Sequence, residues 1–226
     1  MPDRFPESTD RQVATGGAAW PLMVVFFIGQ AVAQAASTVP YSLWSNYISD
    51  LGNTGCGPFA LGTYHTVVCT PLSGVMNATF VVSGLLTLAG AVGTRRAWPK
   101  RRLTAVGLVL LGLAGAGQVL VGFRPENVDI TLHGVGALFG IGGGNLGVLL
   151  VGLGVWRADR LMGVLSVVVG VVGLVAFVLL GSAQALGLGI GLVERVAGYP
   201  LVAWLIGAGA FLFWSATSAG RRRALA

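Results

Sequence analysis

Long stretches of apolar residues without a formal charge constrain this chain most. Residues 103–123 and 132–156 contain no Asp, Glu, Lys or Arg. A helix needs about 20 residues to cross a hydrocarbon core of roughly 30 Å, and each stretch is long enough. Only helices and closed barrels satisfy all backbone hydrogen bonds in lipid, and these stretches lack the two-residue alternation of barrel strands. The sequence therefore predicts an all-α integral membrane protein.

The composition excludes a soluble domain of this length. Of the 226 residues, 54% are hydrophobic and only 10% are charged, which is far from the balance of soluble proteins. Nearly all of the basic residues are Arg, which we attribute to the codon usage of a GC-rich genome. The net charge of +6 therefore needs no nucleic-acid partner to explain it.

Six membrane spans are predicted, with ends uncertain by a few residues, at about 18–39, 72–92, 103–122, 133–155, 161–181 and 196–214. This divides the chain into an N-terminal tail at 1–17, a six-helix transmembrane domain at 18–218 with a loop at 40–71, and a basic tail at 219–226. The motif Ala-Val-Ala at 31–33 allows an alternative in which the first span is a cleaved signal peptide. The acidic residues of the N-terminal tail argue against it.

The basic residues predict the orientation of the bundle, because connections rich in Lys and Arg stay in the cytoplasm. Only Arg124 and Arg195 lie on one side. The other side has Arg4, Arg11, Arg95, Arg96, Lys100, Arg101, Arg102, Arg157, Arg160, Arg221, Arg222 and Arg223. Both termini are therefore predicted to be cytoplasmic and the loop at 40–71 external, in a multi-pass protein of a bacterial plasma membrane.

Glycines recur at three- or four-residue spacing within the spans, as at Gly136, Gly140 and Gly144 and at Gly170 and Gly173. Small residues at this spacing let transmembrane helices approach closely. We expect close packing within one bundle, and the alternative is a face for homo-oligomer formation.

The two cysteines, Cys56 and Cys69, both lie in the predicted external loop. Outside the cytoplasm a disulfide persists, so the sequence favours a disulfide between them. Free thiols are an alternative. A metal site with His65 is a weaker one, because the spacing matches no usual ligand pattern.

Three short motifs lie on the side that is predicted to be external. They are Tyr47-Ile48-Ser49-Asp50-Leu51-Gly52, Phe123-Arg124-Pro125 followed by His133, and Gly191-Leu192-Val193-Glu194-Arg195. With the six spans, they resemble the bacterial membrane family catalogued as domain of unknown function 998. The resemblance implies a six-helix bundle, and the family has no agreed activity to carry over.

Because the charge distribution assigns these motifs to one face, their polar side chains can converge. Ionisable groups near the hydrocarbon usually face a partner or a cavity. We expect Asp50 to form a charge pair with Arg124 or Arg195, and His133 to shuttle protons near neutral pH. The candidate catalytic residues are Asp50, His133 and Glu194, and the candidate ligand-binding residues are Arg124, Arg195 and Ser49.

Several functions are compatible with such a cluster. It can bind a membrane lipid or another amphipathic small molecule, perform acid and base chemistry on a lipid or prenyl substrate, or serve only in structure and assembly with another membrane protein. A hydrolytic Ser49–Asp50–His133 trio is disfavoured, because adjacent side chains diverge on a regular backbone. Proton-coupled transport is disfavoured because the spans carry no acid or base at mid-membrane depth. No cofactor and no metal are predicted.

The predicted orientation can be tested directly with compartment-specific reporters. A reporter fused after Ala226 should read as cytoplasmic, and one inserted near Gly57 should read as external, because of the uneven distribution of basic residues. An external reading after Ala226 would reverse the orientation and place the polar cluster in the cytoplasm.

Overall fold

The structure is a computed structural model that describes residues 7–223, and it describes side chains for residues 11–218. Its helices are α1 (Glu7–Ala19), α2 (Val24–Ala35), α3 (Ser73–Thr94), α4 (Arg102–Phe123), α5 (Ile130–Ala137), α6 (Gly144–Val155), α7 (Arg160–Gly181) and α8 (Ile190–Arg223). Two short strands, β1 (Gly57–Leu61) and β2 (Tyr64–Val68), form an antiparallel hairpin.

Six helical stretches are long and apolar enough to cross a membrane, which confirms the predicted six-helix membrane bundle. They are Arg11–Ala35, Ser73–Thr94, Arg102–Phe123, Ile130–Val155, Arg160–Gly181 and Ile190–Ser218. The last one begins earlier than the sequence suggested, so Glu194 and Arg195 lie inside a helix. The parts of the predicted tails at 1–6 and 224–226 lie outside the described residues, and the orientation of the bundle stays a prediction.

The spans pack in a closed ring. Helix α1 packs on α3, α3 on α4, α4 on α6, α6 on α7, α7 on α8, and α8 returns to α1. We call the end of the bundle that carries β1 and β2 the hairpin end. The opposite end, which carries the connection between α3 and α4, is the basic end.

Glycines bring neighbouring spans into backbone contact, as predicted. A Cβ at Gly107 in α4 would lie 2.6 Å from the carbonyl oxygen of Gly147 in α6, and a Cβ at Gly136 would lie 2.8 Å from that of Gly117. Any side chain there would force the helices apart. These glycines therefore serve packing within one bundle, and homo-oligomer formation stays a prediction.

An asparagine ties together two irregular spans in the middle of the bundle. A π-helical turn, Leu138–Gly143, separates α5 from α6, and α8 contains Pro200. Proline lacks an N–H and disturbs the hydrogen bonds of the preceding turn. Asn145 Nδ2 donates to the carbonyl oxygen of Ile141 at 2.9 Å and to that of Ala197 at 2.8 Å, so one side chain links the π-helical turn to the turn before Pro200.

A disulfide between Cys56 and Cys69 cross-links the loop between α2 and α3, which confirms the favoured pairing. The two cysteines flank the hairpin, whose terminal pair is Gly57 and Val68. Since both sulfurs are bonded to each other, the alternative metal site with His65 is wrong. The sequence analysis did not predict the two strands.

Candidate functional site

Residues 46–53, here called the inserted segment, fold into the hairpin end of the bundle. The segment contains a 3-10 turn, Ser49–Gly52, in which Asp50 and Leu51 are buried. Asn77 Nδ2 on α3 donates to the carbonyl oxygen of Gly52 at 2.9 Å. A Cβ at Gly52 would lie 2.5 Å from Asn77 Oδ1, so a side chain here would displace the Asn77 amide that holds the turn.

Glu194 in the first turns of α8 binds the inserted segment through its carboxylate. The side chain is buried, its Oε2 accepts a hydrogen bond from the Ile48 N–H, and its Oε1 lies 3.5 Å from Ser49 Oγ. A carboxyl oxygen is a good acceptor for main-chain N–H and hydroxyl groups. Glu194 therefore fixes the start of the 3-10 turn against α8.

Arg195, the next residue of α8, also forms hydrogen bonds to the inserted segment. Its Nη1 donates to the carbonyl oxygens of Asn46 at 2.9 Å and of Gly191 at 2.8 Å, and its Nη2 donates to the Tyr41 hydroxyl at 2.6 Å. The guanidinium also lies 5.7 Å from the centre of the Tyr41 ring, a cation–π distance. The Nε of Arg195 is buried without a hydrogen-bond partner among the described residues.

Ser49 and His133 form a hydrogen-bonded pair beside Glu194. His133 Nδ1 lies 2.8 Å from the main-chain oxygen of Arg124, which can only accept, so Nδ1 carries the proton. In the neutral imidazole the other ring nitrogen, Nε2, accepts, and it lies 3.0 Å from Ser49 Oγ. A hydroxyl has one proton to donate. Ser49 donates it to His133 and not to Glu194, because its contact with His133 is shorter than its 3.5 Å contact with Glu194 Oε1. The geometry thus presents a serine hydroxyl to a neutral imidazole.

Asp50 points away from Ser49 and toward the hairpin. Its Oδ2 accepts hydrogen bonds from the hydroxyl of Tyr64 on β2, from Asn46 Nδ2 at 3.2 Å and from the Tyr47 N–H at 3.0 Å. Asn46 also donates to Thr66 at 2.8 Å. Tyr64 and Thr66 share the inner face of β2, because alternate residues of a strand face the same way. The disulfide-closed hairpin is therefore part of the site.

Asp50 lies beside a second buried carboxyl group, that of Glu126 in the connection between α4 and α5. Burial, and then the neighbouring charge of Asp50, raises the pKa of Glu126 well above its usual range. Burial also raises the pKa of Asp50, although its hydrogen bonds to Tyr64 and others oppose this. Two like charges in one buried site are unfavourable, so the pair shares a proton, which we assign to Glu126. Asn53 Nδ2 donates to Glu126 Oε1 at 3.1 Å and orients it.

Burial raises the pKa of the tyrosines that surround this pair. The pKa of Tyr47 rises to about 12 because of burial and then the charge of Glu194. For Tyr64 the same burial, together with its hydrogen bond to Asp50, raises the pKa. Both hydroxyls therefore keep their protons at neutral pH, and Tyr64 acts as a donor to Asp50.

The structure brings together five of the six predicted site residues, namely Ser49, Asp50, His133, Glu194 and Arg195. The expected charge pair between Asp50 and an arginine is not formed. Asp50 instead accepts hydrogen bonds from neutral donors, and Arg195 donates to main-chain oxygens and Tyr41. The side chain of Arg124 is exposed, and only its main-chain oxygen reaches the cluster.

Several residues that build the site were not predicted from the sequence, namely Tyr41, Asn46, Asn53, Tyr64 and Glu126. One signal was available for Glu126, since it is one of the few acidic residues on its side of the chain. Tyr64 and Thr66 of β2 are two residues apart, which is the spacing of side chains on one face of a strand. Their partners depend on the path of the chain between the spans, which hydropathy does not describe.

An apolar groove lies next to Arg195 on the outer face of α8. It has a volume of about 360 Å³ and is lined by Leu43, Trp44, Leu192, Arg195, Val196, Tyr199 and Pro200. The residues from α8 recur at three- and four-residue spacing and so share one face of the helix. The Leu192 N–H donates to the Trp44 oxygen at 3.1 Å, which fixes the rim. Gln30 Nε2 donates to the Tyr199 hydroxyl at 2.7 Å, which fixes the floor.

Because Asp50 and Glu126 are buried together, we expect the stability of the folded protein to depend on pH. Folding raises the pKa of Glu126, so its contribution is fully present below the unfolded pKa of about 4.3 and is lost as pH rises through the folded pKa. Glu126→Gln keeps an N–H that can donate to Asp50 but has no charge to lose. The melting temperature of wild type in detergent should therefore fall between pH 5 and pH 9, and that of Glu126→Gln should fall less.

Asp129→Asn is the matched control, because Asp129 caps α5 through the Leu132 N–H and Asn caps equally well. Its melting temperature should follow the pH profile of wild type. Equal pH profiles for wild type and Glu126→Gln would contradict the shared proton.

Comparisons with known proteins identify a family without an assigned activity. The family model described as "Protein of unknown function (DUF998)" matches residues 21–211. The matched stretch begins in the first span, ends in the last and includes all three motifs of the hairpin end. This confirms the resemblance seen in the sequence. No curated protein matches the chain, and no solved structure does.

Proposed function

The chain belongs to the DUF998 family of membrane proteins, and we propose that its hairpin end binds an amphipathic molecule, in the first place a membrane lipid. The observation that carries this proposal is the groove on α8, where an apolar surface ends at a buried arginine. Binding sites for small molecules typically combine apolar walls with a few placed polar groups. The groove and the polar cluster beside it have this arrangement.

The apolar part of the ligand would lie along α8, against Leu192, Val196 and Pro200. Trp44 is 61% exposed at the rim, and tryptophan is favoured at the boundary between hydrocarbon and headgroups. A hydrocarbon chain in the groove would cover this ring. Since the groove is open toward the surface of the bundle, a lipid could enter it sideways from the bilayer.

The polar part of the ligand would meet Arg195. The Nε of this side chain is buried without an acceptor, and a buried unsatisfied donor costs about 1–3 kcal/mol. An ester, phosphate or carboxylate oxygen of a headgroup would supply the missing acceptor after a small movement of the rim. We place the protein in the plasma membrane with this site external, in line with the predicted orientation.

Mass spectrometry of the molecules that co-purify with the protein tests this proposal. Val196→Trp fills the groove without touching the hydrogen bonds of Arg195. The amount of co-purified amphipathic molecule should fall by about tenfold, which corresponds to about 1.4 kcal/mol. The control is Val168→Trp, because Val168 is 54% exposed on α7 outside the groove, and this variant should retain the wild-type amount. Equal profiles in wild type and both variants would overturn the proposal and favour a role in structure or assembly.

A second candidate function, acid and base catalysis on a lipid ester, is favoured by the pair of Ser49 and His133. His133 Nε2 is placed to accept the proton of Ser49 at 3.0 Å, and the carbonyl oxygen of Arg124 fixes the tautomer. The Ser49 oxygen would attack the ester carbonyl, the proton would pass through His133 to the departing alcohol, and water would release the acyl group. Glu194, on the other side of Ser49, would stabilise the imidazolium.

A serine-reactive fluorophosphonate probe tests the catalytic candidate. The probe should label wild type, should fail to label Ser49→Ala, and should label His133→Gln at least about 100-fold more slowly, a typical loss for a general base. Ser45→Ala is the control, because Ser45 is exposed nearby and should not affect labelling. A wild-type protein that binds lipid but is not labelled at Ser49 would remove the catalytic candidate and leave the binding proposal intact.

A further inference from the structure

A second cavity lies at the basic end, far from the polar cluster. It is a recess of about 620 Å³ between the end of α3 and the start of α4. Its lining includes the basic side chains of Arg95, Lys100, Arg101 and Arg102 and the apolar positions Val92, Val109 and Gly112. The larger volume and the basic lining distinguish it from the groove at the hairpin end.

The rim of the recess is strongly positive. Arg95, Lys100, Arg101 and Arg102 all line it and are all exposed. No acidic residue is among the lining side chains. Four cations around one opening repel each other, and a ligand with a negative charge would relieve this repulsion.

The floor of the recess is apolar and faces the outside of the bundle. Val92 on α3 is 48% exposed and Val109 on α4 is 62% exposed. Both lie within predicted membrane spans, where the surroundings are hydrocarbon. The recess therefore passes from a basic rim, at the end of the spans, to an apolar floor at the depth of the acyl chains.

The connection that carries the rim is anchored to the core. Trp98 is buried, its indole N–H donates to Thr94 Oγ1 at 3.1 Å, and its ring stacks on Trp204 with the ring centres 6.1 Å apart. Trp20 packs against both rings. The basic side chains thus project from a fixed turn, which lowers the entropy that a ligand must overcome.

We propose that this recess is a binding site for an anionic phospholipid, with its phosphate between the basic side chains of the rim and an acyl chain on the floor. Arginine forks match phosphate oxygens in two-point contacts, and basic pockets between spans are a common setting for anionic headgroups. A nucleic acid or an acidic peptide would use the rim but leave the floor uncovered. The site is at the other end of the bundle and does not depend on the proposed function of the hairpin end.

Native mass spectrometry of the full chain in detergent, titrated with phosphatidylglycerol or with phosphatidylcholine of the same acyl chains, tests the proposal. Wild type should bind phosphatidylglycerol at least about tenfold more tightly, given the contribution of each basic residue near an anionic headgroup. Arg101→Gln with Arg102→Gln should lose most of this preference. The matched control is Arg157→Gln with Arg160→Gln, which removes two charges at the same end but outside the recess and should keep the preference.

Gly112→Phe tests the apolar floor separately from the rim. A Cβ at Gly112 meets only Leu88, at 3.6 Å, so a side chain can enter the recess without displacing the backbone. This variant should bind both lipids more weakly, by about tenfold. The melting temperature of each variant in the same detergent reports whether it is folded.

Three results would overturn the proposal. Equal binding of the two lipids by wild type would remove the charge preference. Equal losses in the two double variants would indicate attraction to the basic surface in general. Displacement of phosphatidylglycerol by inorganic phosphate at a similar concentration would indicate a site for the free ion, because the acyl chain would then contribute nothing.

Discussion

The hydrogen bonds of Glu194 and Arg195 determine how the hairpin end is assembled. Burying an ionised side chain costs several kcal/mol unless it is paired and hydrogen-bonded. Here the partners are main-chain groups of Asn46 and Ile48 and the hydroxyl of Tyr41. The inserted segment must therefore fold back onto α8. Once it does so, Asp50 contacts the hairpin and Ser49 contacts His133. The hydrogen bonds of Glu194 and Arg195 therefore position the rest of the site.

The sequence was sufficient for the architecture because one constraint dominates it. Each span has to satisfy its own backbone in lipid, so length and hydropathy locate the helices without knowledge of their packing. Cys56 and Cys69 were predictable for a related reason, since both fall in one short loop. The cluster of Ser49, Asp50, His133, Glu194 and Arg195 was predictable from the scarcity of ionisable groups near the hydrocarbon.

The pairing inside the cluster was not predictable from the charges alone. A sequence shows that Asp50 needs a partner, and it suggests arginine because opposite charges attract. In the structure, neutral donors bind one oxygen of this carboxyl group, and Glu126 rather than an arginine lies beside it. These donors come from β2 and from the connection before α5, and loops of this kind take their position from tertiary contacts. The side chain of Arg124 remains outside for the same reason, because the connection turns its main chain toward His133.

Charged side chains are buried and hydrogen-bonded at the hairpin end, whereas they are exposed at the basic end. This difference bears on function. At the hairpin end most buried polar atoms have a protein partner. Among the described residues, the buried side-chain atoms without one at this end are Asp50 Oδ1, Asn53 Oδ1 and Arg195 Nε, and of these only Arg195 Nε can donate to an acceptor of a ligand. At the basic end the arginines that line the recess are exposed and have no acidic neighbour in its lining. A structural network gains nothing from cations arranged in this way. Such an arrangement gains energy only when an anion arrives from outside the chain, and in a membrane the most abundant anions that also bring hydrocarbon are lipids.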